Sequence, residues 1–380
     1  MRAAENAEPS TGPLPLIALG QGLYYESPIT FAAFAEYLAG HGFVVVTTPL
    51  TGTNSPLIKL DTQDLENQVR DLELAIARAR ELPFVSRDVL GVLGFDMGGM
   101  LGVLLSMRNP DVDAFASLDS GILFEHESGL PRISPGYDPA ALRIPWLHAT
   151  PPRALRPPSD SAQSLFETAV HAERYLLVTE GMGHVDFTSY ALVEGRRDML
   201  GYWPEPGAVA GVEGHKAVAR YVLQFFSAHL LQDAASRERL STAPEAKGAR
   251  MTLERRPATP RSIGYDEFIA EVVAGRAEEA VAKLRAAAGG EPGQMLLERM
   301  YLERLAQHLM FTWGLAEEAL PVIELMNERY PEAVFGQFLL GEAHVLREDY
   351  PAAIAVYERF LEEHPNDAGA KARLETLRQR

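Results

Sequence analysis

With 380 residues the chain is long enough for two or three domains, each able to bury its own core. Its composition, 47% hydrophobic and 23% charged, excludes a disordered or fibrous protein. A net charge of −17 argues against nucleic acid as a partner, because phosphate binding relies on clustered Lys and Arg.

Met1 to Pro13 is polar and no run of 18 apolar residues occurs anywhere, so neither a membrane span nor an intact signal peptide is expected. The first strand-like run, Leu14–Leu19, already reads as a central strand, and this abrupt start leaves open the removal of an upstream segment such as an export signal. Cytoplasmic and exported locations both stay open. Without a single cysteine, disulfides and thiolate metal sites are excluded.

Further runs follow at Phe43–Thr48, Val89–Phe95, Ala114–Leu118, Ile144–Ala149 and Tyr175–Thr179. Helix-like stretches with apolar residues at helical spacing separate them, at Phe31–Ala39, Leu65–Glu81 and Gly98–Met107. That alternation predicts an α/β domain with a mainly parallel sheet over residues 13–231, closed by a helix from His215 to Leu231. Residues 232–262, rich in Ala, Arg, Ser and Pro without periodicity, read as a linker. Residues 263–380 read as helical and repetitive. Ala319 and Ala353 are 34 residues apart, as are Pro331 and Pro365, and Gly341 and Tyr357 fall within the clearest copy. Small residues where two helices touch, with a proline ending each pair at this period, form the tetratricopeptide signature. Such an array offers a surface for a protein partner or for self-association.

The most informative motif is Gly94-Phe95-Asp96-Met97-Gly98-Gly99. A strand that turns sharply through Gly-x-nucleophile-x-Gly into a helix lifts one side chain clear of the sheet, with backbone N–H groups behind it. That side chain is usually a serine; here it is Asp96. Chemistry at such an elbow needs a histidine to move protons and an acid to orient it. His184, in Gly181-Met182-Gly183-His184, follows the last predicted strand. The acid has two candidates, Asp119 in Ser117-Leu118-Asp119 and Asp160 in Pro158-Ser159-Asp160. Each site residue also has a plainer reading. Asp96, Asp119 and Asp160 can cap the helices that follow them, a role that contributes about 0.5–2 kcal/mol with no chemistry, and Asp186 fits as a brace for the histidine loop.

Gly20-Gln21-Gly22-Leu23 and Tyr37-Leu38-Ala39-Gly40-His41-Gly42-Phe43, together with the elbow, Ser117-Leu118-Asp119 and His184-Val185-Asp186-Phe187, resemble the platelet-activating-factor acetylhydrolase and dienelactone hydrolase group of α/β-hydrolases. The resemblance spans residues 13–231. It implies the α/β-hydrolase fold, favours Asp119 as the acid, and puts oxyanion donors at the backbone N–H groups of Leu23 and Met97. Gln21 replaces the histidine usual before that glycine. The elbow itself is similar to those of haloacetate dehalogenases and epoxide hydrolases, in which an aspartate forms an alkyl-enzyme ester that histidine-activated water then cleaves. The tryptophan that many dehalogenases place beside the aspartate is Met97 here. Ile122–Arg143, containing Tyr137, is short for a cap domain, while Trp146, Tyr190, Tyr202 and Trp203 are candidates for a pocket wall.

Three readings follow. One is a hydrolase using Asp96, His184 and Asp119 on a small ester, haloalkane or epoxide-like substrate. Another is a silent relative, with Asp96 paired to protonated His184 and the repeats binding a protein. The last is serine chemistry, through the poorly placed Ser120 or a serine at position 96 in the natural sequence. No organic cofactor and no metal ion is expected, since phosphate loops, zinc spacing and dinucleotide fingerprints are missing.

Overall fold

The structure, a computed structural model, describes residues 12–22, 28–59, 61–124, 132, 134–155, 163–193, 209–259, 263–286 and 296–379. It divides into two compact units, one ending at Thr259 and the other beginning at Pro260.

The first unit is built on a seven-stranded sheet: β1 (Leu14–Gly20), β2 (Val44–Thr47), β3 (Val85–Phe95), β4 (Ala114–Leu118), β5 (Trp146–Thr150), β6 (Arg174–Glu180) and β7 (Arg250–Arg256). Their order across the sheet is β2-β1-β3-β4-β5-β6-β7. All neighbours run parallel except the last pair. Central strands such as β1, Leu-Pro-Leu-Ile-Ala-Leu-Gly, are apolar throughout because both faces are covered. Alternate residues go to opposite faces: Leu16 and Ala18 join one core, Ile17 and Leu19 the other.

Helices α2 (Thr62–Ala79) and α3 (Met97–Arg108) and the short α4 (Leu165–Thr168) contribute to the first core. α1 (Ala32–Ala39) and α5 (Gly211–Leu230) contribute to the second. α2 shows how local sequence sets an element. The Asp61 carboxylate accepts the Asp64 N–H at 2.9 Å to cap its start, and Leu65, Val69, Leu72 and Ile76 form the buried stripe. α3 is apolar all round because Met97 through Met107 are all buried.

The segment expected as a linker, 232–262, departs from that reading. It carries α6 (Ala234–Arg239) and the edge strand β7, which pairs antiparallel with β6 at seven positions from Arg174↔Arg256 to Glu180↔Arg250. An edge strand covered on one side needs inward apolar residues only at alternate positions, here Met251 and Leu253, so it lacks the continuous run that marks a central strand.

The second unit is helical: α7 (Tyr265–Val273), α8 (Ala277–Ala286), α9 (Arg299–Gln307), a π turn at His308–Thr312, then α10 (Ala316–Arg329), α11 (Val334–Leu346), α12 (Tyr350–Glu363) and α13 (Ala368–Arg378). α10 and α12 start 34 residues apart (316 to 350), and so do α11 and α13 (334 to 368). Ala319 and Ala353 are fully buried at equivalent positions. Gly341 lets α11 approach α12 closely: a Cβ there would lie 2.7 Å from the Tyr357 ring. No helix among the described residues is long and apolar enough to cross a membrane.

Candidate active site

The register of the sheet brings the site together. Phe95 is paired with Leu118, and Leu118 with Ala149, so Asp96, Asp119 and Thr150 leave three adjacent parallel strands side by side at their carboxyl ends. That edge is where open α/β sheets bind ligands.

Asp96 occupies the turn between β3 and α3 with φ 49° and ψ −117°. Left-handed backbone at a non-glycine residue costs energy and has to be held by its surroundings. The holding contacts are visible. Asp96 N–H donates to the Leu118 carbonyl at 3.2 Å, and its own carbonyl accepts from Gly99 N–H at 3.0 Å and from the Ser120 hydroxyl at 2.7 Å. The glycines permit the packing: a Cβ on Gly20 would lie 2.8 Å from the Gly98 backbone, and one on Gly94 would lie 2.6 Å from the Gly99 nitrogen. The turn after β1, with Gln21 buried in it, is therefore pressed against the start of α3. Although Asp96 stands at the N-cap position of α3, its side chain makes no capping hydrogen bond. The plainer explanation of an aspartate here is thus removed.

His184 opens a 3-10 turn, His184–Phe187, just after β6. Its Nδ1 lies 2.6 Å from Asp119 Oδ2, and its ring packs on Phe95, the residue before Asp96, with centroids 4.5 Å apart. The loop is braced twice. Asp186 Oδ2 accepts the Gly183 N–H at 2.9 Å, and the Asp186 carbonyl accepts from Nδ1 of His215 on α5 at 3.1 Å. Burial holds His215 down at about 4, so that ring is neutral.

Asp119 is buried, sits at φ 38°, and is anchored by its N–H on the Ala149 carbonyl at 2.7 Å. Burial alone would raise its carboxyl; the hydrogen bond from His184 and, in acid where that ring is protonated, its charge, then Arg153, outweigh burial and hold it below the usual carboxylate range. An ionised Asp119 can only accept, so Nδ1 of His184 is the donor and Nε2 is the basic nitrogen. Thr150 donates its hydroxyl to Oδ1 at 3.1 Å, and Arg153, in the turn after β5, donates Nη2–H to Oδ2 at 2.6 Å. Behind Asp119 lies a fully buried network. Trp146 Nε1–H donates to Ser117 Oγ at 3.0 Å, and Ser117 Oγ is 2.7 Å from Nδ1 of His148, which burial pushes down to about 4.

The structure therefore brings Asp119 and His184 together beside the elbow. Met97 is the first residue of α3, where backbone N–H groups lack helical partners. Leu23 and Asp160 lie outside the described residues, as do Tyr202 and Trp203. Ser120 is buried and its hydroxyl is engaged by Asp96, which fits a structural part better than a nucleophile. Trp146 is core, stacked on Phe115 at 6.4 Å, rather than pocket wall. Sequence reasoning missed Thr150 and Arg153; the available signal was a polar and a charged residue just beyond a strand end.

A mainly parallel sheet whose central strand turns through an elbow into a helix, with a histidine loop after a later strand, is the α/β-hydrolase fold. No protein-family model matches the chain, and no curated protein matches it. Among solved structures, the ferulic acid esterase from Streptomyces cinnamoneus is similar, with a TM-score of 0.47 and 23% identity over 60% of this chain and 71% of that one.

Proposed function

We propose that the chain is a hydrolase in which Asp96 is the covalent nucleophile, His184 the base and Asp119 the acid that orients it. The substrate class is a small molecule with a displaceable group on an sp³ carbon, a haloalkane or an epoxide-like compound. The observation that carries this is an aspartate held at φ 49° on the elbow whose side chain makes no capping hydrogen bond to α3. A carboxylate is a poor choice for acyl esters, because attack on one gives a mixed anhydride.

In the first step a carboxylate oxygen of Asp96 attacks the carbon, the bond to the leaving group breaks with its electron pair, and an alkyl ester of Asp96 forms. Nε2 of His184 then takes a proton from water, whose oxygen attacks the ester carbonyl. Backbone N–H groups of Leu23 and Met97 would face the oxyanion. On collapse the alkyl oxygen takes that proton back from Nε2 of His184 and leaves as the alcohol, with one water oxygen kept in the Asp96 carboxylate.

Single turnover in ¹⁸O-water with bromoacetate, 1-bromopropane and styrene oxide as probes tests this. Label in the Asp96 peptide is expected from any probe that is consumed; consumption without label there sinks the covalent route.

A second reading is supported by the 34-residue spacing of the helix pairs. In it the chain is a catalytically silent relative whose tetratricopeptide-like unit binds a protein or a second copy of itself. Sedimentation of the full chain against one ending at Thr259 separates these: self-association lost with the helical unit, and no label in Asp96, favours the second reading.

A further inference from the structure

We propose that Arg153 is a positioning residue that offsets the charge Asp96 adds to the site, and so keeps His184 neutral and able to act as a base; this rests on the covalent reading of Asp96. In a serine triad the nucleophile, histidine and acid together carry one negative charge. An aspartate at the elbow makes that two, and two carboxylates around one imidazole favour the imidazolium, which cannot accept a proton from water. Counted over these four side chains alone, Arg153 brings the sum back to one.

The geometry suits that role. Arg153 Nη2 and His184 Nδ1 are each 2.6 Å from the same atom, Oδ2 of Asp119, so the two nitrogens lie within about 5 Å of each other. The cation thus draws on the same lone pairs that would stabilise a protonated His184. Oδ1 is occupied separately by Thr150. The charged and titratable described groups near His184 include Asp119 at the end of β4, Arg153 after β5, Asp186 on its own turn, and Asp96, which follows the Phe95 ring packed on His184. Behind these, His148 lies next to Asp119 and His215 next to Asp186. Arg153 is the one fixed cation among these described groups. Its side chain is 44% exposed while that of Asp119 is 4% exposed, so the arginine reaches in from the rim and its replacement need not disturb the core.

The test is a ¹⁵N NMR titration of the His184 ring in the full chain without substrate. In the unaltered protein His184 is expected to be neutral at about pH 7.5. Arg153→Gln should raise its midpoint by about one pH unit, a tenfold change in proton affinity, as expected for loss of a partly screened charge at this range. Arg153→Lys should stay near the original value, and Asp96→Asn combined with Arg153→Gln should return the midpoint to it. A midpoint in Arg153→Gln within about 0.2 unit of the unaltered protein overturns the proposal, as does a His184 already protonated at about pH 7.5. The ¹⁸O experiment reports on Asp96 alone: label with an unmoved midpoint leaves the nucleophile standing and removes Arg153 from its role. A shifted midpoint without label does the reverse.

Discussion

Gly98→Ala is the sharpest probe of how the elbow is built. A Cβ at Gly98 would lie 2.7 Å from the Gln21 nitrogen and closer still to the Gly20 carbonyl, where ordinary contact needs 3.4–4 Å. These are backbone atoms at the end of β1, in register with Gly94 at the end of β3, so no side chain can rotate away. One strand end or the start of α3 must move by about 1 Å. Overpacking of this kind costs about 1–3 kcal/mol when side chains absorb it, and the upper figure applies where backbone must shift. About 3 kcal/mol in a unit of this size lowers Tm by roughly 6–12 °C. Calorimetry of the full chain should show that drop, with turnover lost as well because the shift reaches the turn that holds Asp96, whose carbonyl accepts from Gly99 N–H. Gly264→Ala, where a Cβ meets nothing within 4 Å, is the control and should stay within about 2 °C of the original. If Gly98→Ala melts as the control does, the close approach of the two turns is wrong.

Asp119→Asn should cut turnover by on the order of 10⁴, because an amide no longer selects the Nδ1–H tautomer of His184; steady-state rates check this, and a loss below tenfold rejects Asp119 as the orienting acid. Stability should fall with acid in two stages. Burial holds folded His148, His215 and His229 each at about 4, while the unfolded chain binds protons on them below the ordinary 6.5, so stability is full above pH 6.5 and is lost as pH falls toward 4. The slope reaches about 1.4 kcal/mol per pH unit for each histidine. Asp119, held low when folded, adds its own loss only below the ordinary carboxylate value of about 3.9. Tm measured by circular dichroism across this range should show both stages, and a flat profile from about pH 6.5 to 4.5 contradicts the first. A chain ending at Leu231 should melt below one ending at Thr259, since it leaves the edge of β6 unpaired from Arg174 to Glu180; equal melting would return 232–259 to the status of a linker. Ser120→Ala should cost about 1 kcal/mol through the lost bond to the Asp96 carbonyl yet keep turnover, whereas abolished turnover at unchanged Tm would make Ser120 the nucleophile.

What the sequence made legible, and what it hid, follows from where each signal is stored. β4 was legible to the residue, Ala114–Leu118, because a strand buried on both faces is apolar at every position and flanked by polar turns. α3 and α5 were read within a few residues for the same reason. The 34-residue spacing of the helix pairs was legible because small residues recur at the same interval, Ala319 and Ala353, both buried. β7 was not, because its pattern of Met251 and Leu253 among charged residues has meaning only once β6 supplies the edge it pairs with.

The same distinction explains the site. Asp96, Asp119 and His184 each announce themselves locally, as the raised residue of a glycine turn or the polar residue that ends an apolar run. Arg153 has no such mark. Pro151-Pro152-Arg153 reads as loop punctuation, and its partner stands 34 positions away in sequence, on the neighbouring strand. An ion pair of this kind is defined by register between parallel strands, which short-range pattern does not encode. Register once known makes the pairing nearly forced: Leu118 opposite Ala149 places Asp119 next to Thr150, and the turn that follows has three residues in which to return a long side chain to the carboxylate. An aspartate in place of serine at the elbow thus changes what must surround it. On the covalent reading proposed above, a second carboxylate beside a histidine that must stay neutral would be offset by a nearby cation, and the turn after β5 is where this chain would supply one, on Asp119.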